Sequence, residues 1–287
     1  MTPPPFISLS WGGGQQSTAI LVASALGLTI NDYEFPKLDL AVFANTGSES
    51  RRTYECIEAA AEWARGLGVN VVIEEATMLK KAKAKGLNSL GDLLVARMTG
   101  DERSPKSVPQ IPAFTAPTGA LGKDCTIDLK ATVIDPLVAR TAKPLGQRYN
   151  VLQLIGFGYE EVHRIRTSPR AKEGWRYEFP LIRAKMNRHA TKALCMEHLG
   201  FVPPPSACVF CPYRGVEGWR ALRDESPEDF AEVLRVDNAI RDSSRAGVKQ
   251  PVFLSNSRLP VEEAIAADDK QGTLPFGGRC DSGSCWT

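Results

Sequence analysis

Two cysteines separated by two residues, Cys208-Val-Phe-Cys211, with Pro212 directly after them, carry the strongest local chemical signal in the chain. Two thiolates at this spacing can share one metal ion or one face of an iron–sulfur cluster. A second signal lies near the N-terminus, in Ser10-Trp-Gly12-Gly13-Gly14-Gln-Gln16-Ser17-Thr18. Glycines let backbone N–H groups approach phosphate oxygens, a following helix N-terminus adds a favourable dipole, and Ser17 and Thr18 add hydroxyl donors. The spacing matches neither the dinucleotide fingerprint nor the Walker loop, and the Walker lysine is missing. A glycine triplet alone is also compatible with a plain connection between strand and helix.

The elements around these residues read as alternating strands and helices. Residues 6–10 form a strand, 17–28 a helix, 38–44 a second strand, 54–66 a helix and 69–73 a third strand. This alternation predicts an α/β fold with an open, mostly parallel sheet flanked by helices. Residues 77–120 break the pattern with lysines at 80, 81, 83 and 85, a short helical stretch and a run through Pro105, Pro109, Pro112 and Pro117. Such a long irregular stretch is expected to be a lid, a binding loop or a mobile insertion. Helices are expected again over 126–140, 190–199, 216–223 and 227–241, and a buried strand over 151–156. The expected division is a nucleotide-binding domain over 1–185 and a smaller helical, cysteine-containing region over 186–287.

The order of the motifs resembles that of ATP pyrophosphatases and phosphoadenosine phosphosulfate (PAPS) reductases. The glycine-rich stretch is similar to their Ser-Gly-Gly-x-Asp-Ser-Thr loop, with Gly12 at the Ser position and Gln16 at the Asp position. Phe43-Ala44-Asn45-Thr46-Gly47 with Glu49 resembles the Asp-Thr-Gly after the second strand, with Asn45 at the Asp position. Cys125-Thr126 with Lys130, then Ile155-Gly156-Phe157-Gly158 with Glu160, Glu161 and Arg164, and finally Cys208-x-x-Cys211-Pro212 follow in family order. The resemblance covers about residues 6–225 and implies a HUP-like sheet that binds an adenosine nucleotide, ATP or PAPS, with Mg²⁺. It implies that Ser10, Gly12, Gly13, Gly14, Gln16, Ser17, Thr18, Gly156 and Glu161 surround the phosphates, and that Asn45, Thr46 and Gly47 line the adenine pocket. The exchanges at positions 16 and 45 replace two carboxylates that could help organise Mg²⁺.

The chain has 7 cysteines, which in a protein without a secretory signal points to metal, cluster or redox chemistry before disulfides. Three readings stand side by side. Cys125, Cys208 and Cys211 could hold a [4Fe–4S] cluster with one open iron, as the resemblance to tRNA 2-thiocytidine synthetases implies, with Cys280 or Cys285 as a fourth ligand. Zinc could be held by Cys208, Cys211, Cys280 and Cys285. The thiols could also be free or redox-paired. Cys56 and Cys195 fall within helical patterns and are expected in the core. Nine Lys/Arg face two acids between Arg164 and Lys192, with Trp175 and Tyr177 interleaved, a composition suited to phosphates or a nucleic-acid strand and equally to a solvated face. Arg164 stands apart because it also lies in a family-matched motif.

A net charge of +2 excludes a polyanion-coating protein by composition. No apolar run approaches the ~20 residues of a membrane span, and the N-terminus lacks a signal-peptide pattern, so a cytoplasmic location without a membrane partner is expected. Three functions follow. The first is ATP cleavage between the α and β phosphates coupled to sulfur transfer, to tRNA, DNA or a small molecule. Lys130 and Arg164 would there offset developing charge, and Cys208 and Cys211 would carry sulfur from a donor, or a cluster. The second is a sulfonucleotide reductase using Cys280 or Cys285 and a thiol reductant, although Arg279-Cys280-Asp281 lacks the Glu-Cys-Gly tail motif. The third is a non-catalytic nucleotide or nucleic-acid binding module.

Overall fold

The computed structural model describes residues 4–147, 150–167 and 172–271. Its centre is a sheet of five parallel strands: β1 (Phe6–Ser10), β2 (Leu40–Asn45), β3 (Val71–Glu75), β4 (Val151–Leu154) and β5 (Trp175–Glu178). Their order is β3-β2-β1-β4-β5, so the chain winds outward on one side of β1, then returns to build the other side. The α/β reading and the parallel sheet hold. In such sheets the crevice at the carboxyl ends of the strands, where the winding reverses, is the natural ligand site. Here it lies between β1 and β4.

Both faces of the sheet are covered, which is why β2 reads as an unbroken apolar run. Alternate residues feed two cores. Leu9, Ala41 and Phe43 face α1 (Gln15–Leu26), α2 (Arg51–Gly66) and a later helix, Arg188–Leu199. Phe6, Leu40, Val42 and Val151 face the opposite way. Helix α1 is buried from Ser17 to Ser24 on all sides, held between sheet and the later helix, so it shows no amphipathic stripe. Helix α2 starts at Arg51 because Ser50 caps it, its Oγ accepting from the Thr53 N–H at 3.2 Å.

The stretch 77–120 departs from expectation. It folds into α3 (Thr77–Lys83) and α4 (Leu90–Thr99), and Phe114–Thr115 pairs antiparallel with Val252–Phe253. Leu79, Leu87, Leu90, Leu93, Leu94 and Ile111 are buried in the second core. The apolar positions 90, 93 and 94 fall on one helix face, and that face outweighs the lysine- and proline-rich composition. The lysines stay outside, with Lys80 and Lys83 paired to Glu74 and Glu75 at the end of β3.

A single helix was expected over 126–140. The structure instead has a π-helical turn, Ile127–Ala131, leading into α5 (Thr132–Ala142). The wider turn brings the consecutive residues Leu129 and Lys130 both inward, and such turns recur at functional sites. After a single helical turn at Pro180–Arg183, the longer helices are α6 (Arg188–Leu199), α7 (Gly215–Glu225), α8 (Pro227–Ile240) and α9 (Val261–Gln271). Trp219, Phe230, Val233 and Ile265 share the core of Phe6, Leu40 and Val151, and α8 packs on α4. Helices α7, α8 and α9 thus share the core on the sheet's second face, while α6 packs on α1 on the first.

Candidate active site

A cleft of about 180 Å³ opens at the β1–β4 crevice. Its floor is Ser10, Gly12 and Gly14 of the β1–α1 loop, with Gln15, Gln16 and Ser17 of the first turn of α1. The N-cap, Gly14, makes no side-chain cap, so the first-turn N–H groups point to the cleft, as an anion requires. The loop is held from within. Gly12 N–H donates to Ser17 Oγ at 3.1 Å, Ser17 Oγ donates to the Gly14 carbonyl at 3.2 Å, and Trp11 Nε1 donates to Thr18 Oγ1 at 3.0 Å. Glycine is required sterically here. A Cβ on Gly14 would lie 2.8 Å from the Ser206 nitrogen, and one on Gly156 would lie 2.9 Å from the Ser17 nitrogen. Gly13 has φ +73° and turns toward Ile57, away from the cleft.

The wall opposite α1 carries Arg164, Arg188 and Gly156. Arg164 is only 6% exposed. Its Nη1 donates to Glu161 Oε1 at 2.6 Å, and its guanidinium lies 4.2 Å from the centre of the Phe157 ring, which stacks on Phe179. Glu161 Oε2 accepts from the Gly158 N–H at 3.0 Å and from Gln16 Nε2 at 2.5 Å. Position 16, where the resembled loop has an acid, thus carries an amide donor that serves a buried carboxylate 145 residues away.

The third wall is Pro205 and Ser206. Ser206 Oγ is buried without a hydrogen-bond partner among the described residues. Two residues on, Cys208 lines a second, smaller cavity of about 30 Å³ with Cys125, Lys130, Cys211 and Thr46, closed by apolar groups including Leu129 and Phe210. Two extended residues span about 7 Å, so one short segment, 205–208, borders both the cleft and the thiol cavity. Cys208 is placed by backbone bonding of its segment to the β2–α2 loop: it bridges Glu49, and Val209 N–H donates to the Ser48 carbonyl at 2.8 Å. Its Sγ lies 3.5 Å from Thr46 Oγ1. Burial pushes the Cys208 thiol well up, and the buried Glu49 adds to this, while Lys130 and the Thr46 hydroxyl pull it back. Burial thus favours the neutral Cys208 thiol, and the nearby Lys130 ammonium works in the other direction, toward its anion.

The structure thus brings Ser10, Gly12, Gly14, Gln16, Ser17, Gly156 and Arg164 to one cleft, with Gly13, Thr18 and Glu161 directly behind it. Cys125, Lys130, Cys208 and Cys211 meet in the other cavity. The expected adenine group does not join the first cleft. Thr46 lines the thiol cavity, and Asn45 Oδ1 is engaged by the Gly47 N–H at 2.8 Å and by Tyr54 Oη at 2.9 Å. Cys280 and Cys285 lie outside the described residues. Gln15, Arg188, Pro205 and Ser206 were not singled out from sequence. Arg188 was legible only as one member of the basic stretch. Cys56 and Cys195 are buried, as expected. Among the described residues no group of three or more His, Cys, Asp or Glu side chains is arranged to hold a metal ion. A cavity of about 30 Å³ has room for one or two waters. No helix among the described residues is long and apolar enough to cross a membrane.

Neither protein-family models nor curated proteins give a match to the chain. The functional reading therefore rests on the geometry of these two cavities and on the five motifs that the sequence carries in order.

Proposed function

We propose that this protein is a PAPS-reductase-like, adenosine-nucleotide-binding enzyme of sulfur metabolism, which cleaves ATP between the α and β phosphates and passes sulfur to the adenylated acceptor. The observation that supports this most is that one short segment borders both cavities: residues 205–206 line the first cleft and Cys208 lines a cavity holding two further cysteines and a lysine. In the first step an acceptor oxygen attacks the α-phosphorus, the α–β bridging bond breaks, and pyrophosphate leaves. The first-turn N–H groups of α1 and the guanidinium of Arg164, which border the cleft, would offset the negative charge that builds up on the leaving group. In the second step the outer sulfur of a persulfide on Cys208 or Cys211, loaded from a sulfane-sulfur donor, attacks the acceptor carbon and AMP leaves with the oxygen. The other cysteine then attacks the inner sulfur, the S–S bond breaks, and the Cys208–Cys211 disulfide so formed is reduced by an external thiol. Lys130 favours the thiolate that must take up sulfur from a donor. The acceptor class, tRNA, DNA or a small molecule, is set outside these two cavities.

A second reading, reduction of a sulfonucleotide to sulfite, is favoured by the two cleft arginines, which suit a sulfate as well as a phosphate. Both readings are tested by incubating the full chain with γ-labelled ATP or with adenosine 5′-phosphosulfate plus dithiothreitol. Pyrophosphate release that depends on an added acceptor, followed by AMP release and acceptor thiolation that need a polysulfide donor and are lost in Cys208→Ala with ATP affinity kept, supports sulfur transfer. Sulfite release from the phosphosulfate, without pyrophosphate from ATP, would replace it with the reductase. Tight ATP binding with neither product would leave a binding module.

A further inference from the structure

The resembled loop is expected to work with Mg²⁺, and the residues present do not suit that ion. A nucleotide-bound magnesium is ordinarily anchored by one or two carboxylates. Among the described residues lining the phosphate cleft are two arginines, Arg164 and Arg188, and no carboxylate. Two acids stand beside the loop but outside the lining: Glu161 has both oxygens engaged, Oε1 by Arg164 and Oε2 by Gln16 and the Gly158 N–H, and Glu160 Oε1 accepts from the Arg188 backbone N–H at 3.0 Å. The other position at which the family has an acid is Asn45, whose Oδ1 already accepts from Gly47 and Tyr54. Magnesium would have to enter between two guanidinium groups and find no carboxylate among the described lining residues.

Resting on the reading that a nucleotide binds here, we infer that the cleft takes its phosphates as a metal-free anion, with Arg164 and Arg188 supplying the positive charge that magnesium would otherwise bring. Gln16 is the residue that sets this preference. Its amide donates to Glu161, keeping that carboxylate engaged behind the wall and Arg164 oriented toward the cleft. An aspartate at position 16 would place a second carboxylate within hydrogen-bond distance of the first. Two such acids repel, or share a proton or a cation. The ligand class that follows is an adenosine nucleotide ending in a fully ionised phosphate or sulfate, bound without a counter-cation.

The test is titration calorimetry of the full chain with ATP and with inorganic pyrophosphate, in EDTA and in excess Mg²⁺, with thermal unfolding as a fold control. Binding in EDTA is expected to equal that in Mg²⁺ within about threefold, or to exceed it, since free and chelated ligands then differ by little in affinity. Gln16→Asp is expected to lose roughly tenfold or more in EDTA, through loss of a charge-assisted hydrogen bond, and to regain affinity with Mg²⁺. Arg188→Ala, in a half-buried position, provides a second variant, expected to weaken metal-free binding roughly tenfold with its unfolding temperature kept. Wild-type binding that vanishes in EDTA and returns with Mg²⁺ would overturn the inference and leave the nucleotide reading standing. No binding of either probe under either condition would overturn both.

Discussion

Arg164 and Glu161 are 7% and 4% exposed at their side chains, and their pairing decides what a mutation at either one does. Removing a partner from a buried ion pair leaves an uncompensated charge, so Arg164→Ala is expected to cost about 3–5 kcal/mol of stability in urea unfolding. Arg164→Lys should recover only part of it, because an ammonium cannot reproduce the flat stacking on Phe157. A separate expectation concerns Cys195 on α6, whose thiol burial pushes up to about 12 from about 9. The folded state favours the protonated form, so its contribution is full below about pH 9 and is lost as the pH climbs toward 12. Urea midpoints should fall across that window, and Cys195→Ala should flatten the fall; an unchanged slope would contradict this. Tyr33, also pushed up to about 12 mainly by burial, leaves a residual slope. At this scale the sequence made Cys125, Lys130, Arg164, Cys208 and Cys211 legible, because each sits in a motif with its own spacing. It could not show the bond from Gln16 to Glu161, which joins residues 145 positions apart and leaves no local pattern.

The β1–α1 loop works as an element because two distant backbones touch it. Gly14 faces the Ser206 backbone and Gly156 faces the Ser17 backbone, both under 3 Å from where a Cβ would lie. Gly14→Ala must push the 205–206 wall outward, against a neighbour that is backbone and cannot swing aside. It is expected to weaken ATP binding roughly tenfold or more and to cost about 1–3 kcal/mol of stability, read by calorimetry and by thermal unfolding. Full affinity in a stable Gly14→Ala protein would mean that this wall does not border the ligand. The loop itself was readable from Gly12-Gly13-Gly14 between a strand and a helix. Its third wall was not, since Pro205 and Ser206 come from a proline-rich connection whose composition reads as a linker. The π turn at Ile127–Ala131 was hidden too: the sequence carries a helical pattern through it, and only the burial of both Leu129 and Lys130 betrays the wider turn.

Across the whole molecule, one sheet organises both cavities, and its second face is built from parts that the sequence seemed to assign elsewhere. Stretch 77–120 looked like a lid because lysines and prolines dominate its composition, yet Leu90, Leu93 and Leu94 place α4 against α8 in the core. Leu93 is fully buried, so Leu93→Ala is expected to cost about 2–5 kcal/mol. Urea unfolding should remain a single transition, since α4, α8 and the sheet share one core; a mobile lid would show almost no loss. The alternation of strands and helices, and with it the parallel sheet and its crevice, was open to reading because β2 and α2 carry clean apolar patterns. The central claim, that a nucleotide sits with its phosphates on the first turn of α1 beside the thiol cavity, is tested most directly by a crystal structure of the full chain soaked with ATP in EDTA. The expected result is phosphate density within hydrogen-bond distance of the Gln15–Ser17 amides and of Arg164 and Arg188, on the near side of Ser206. Nucleotide density elsewhere, with that cleft empty, would contradict it.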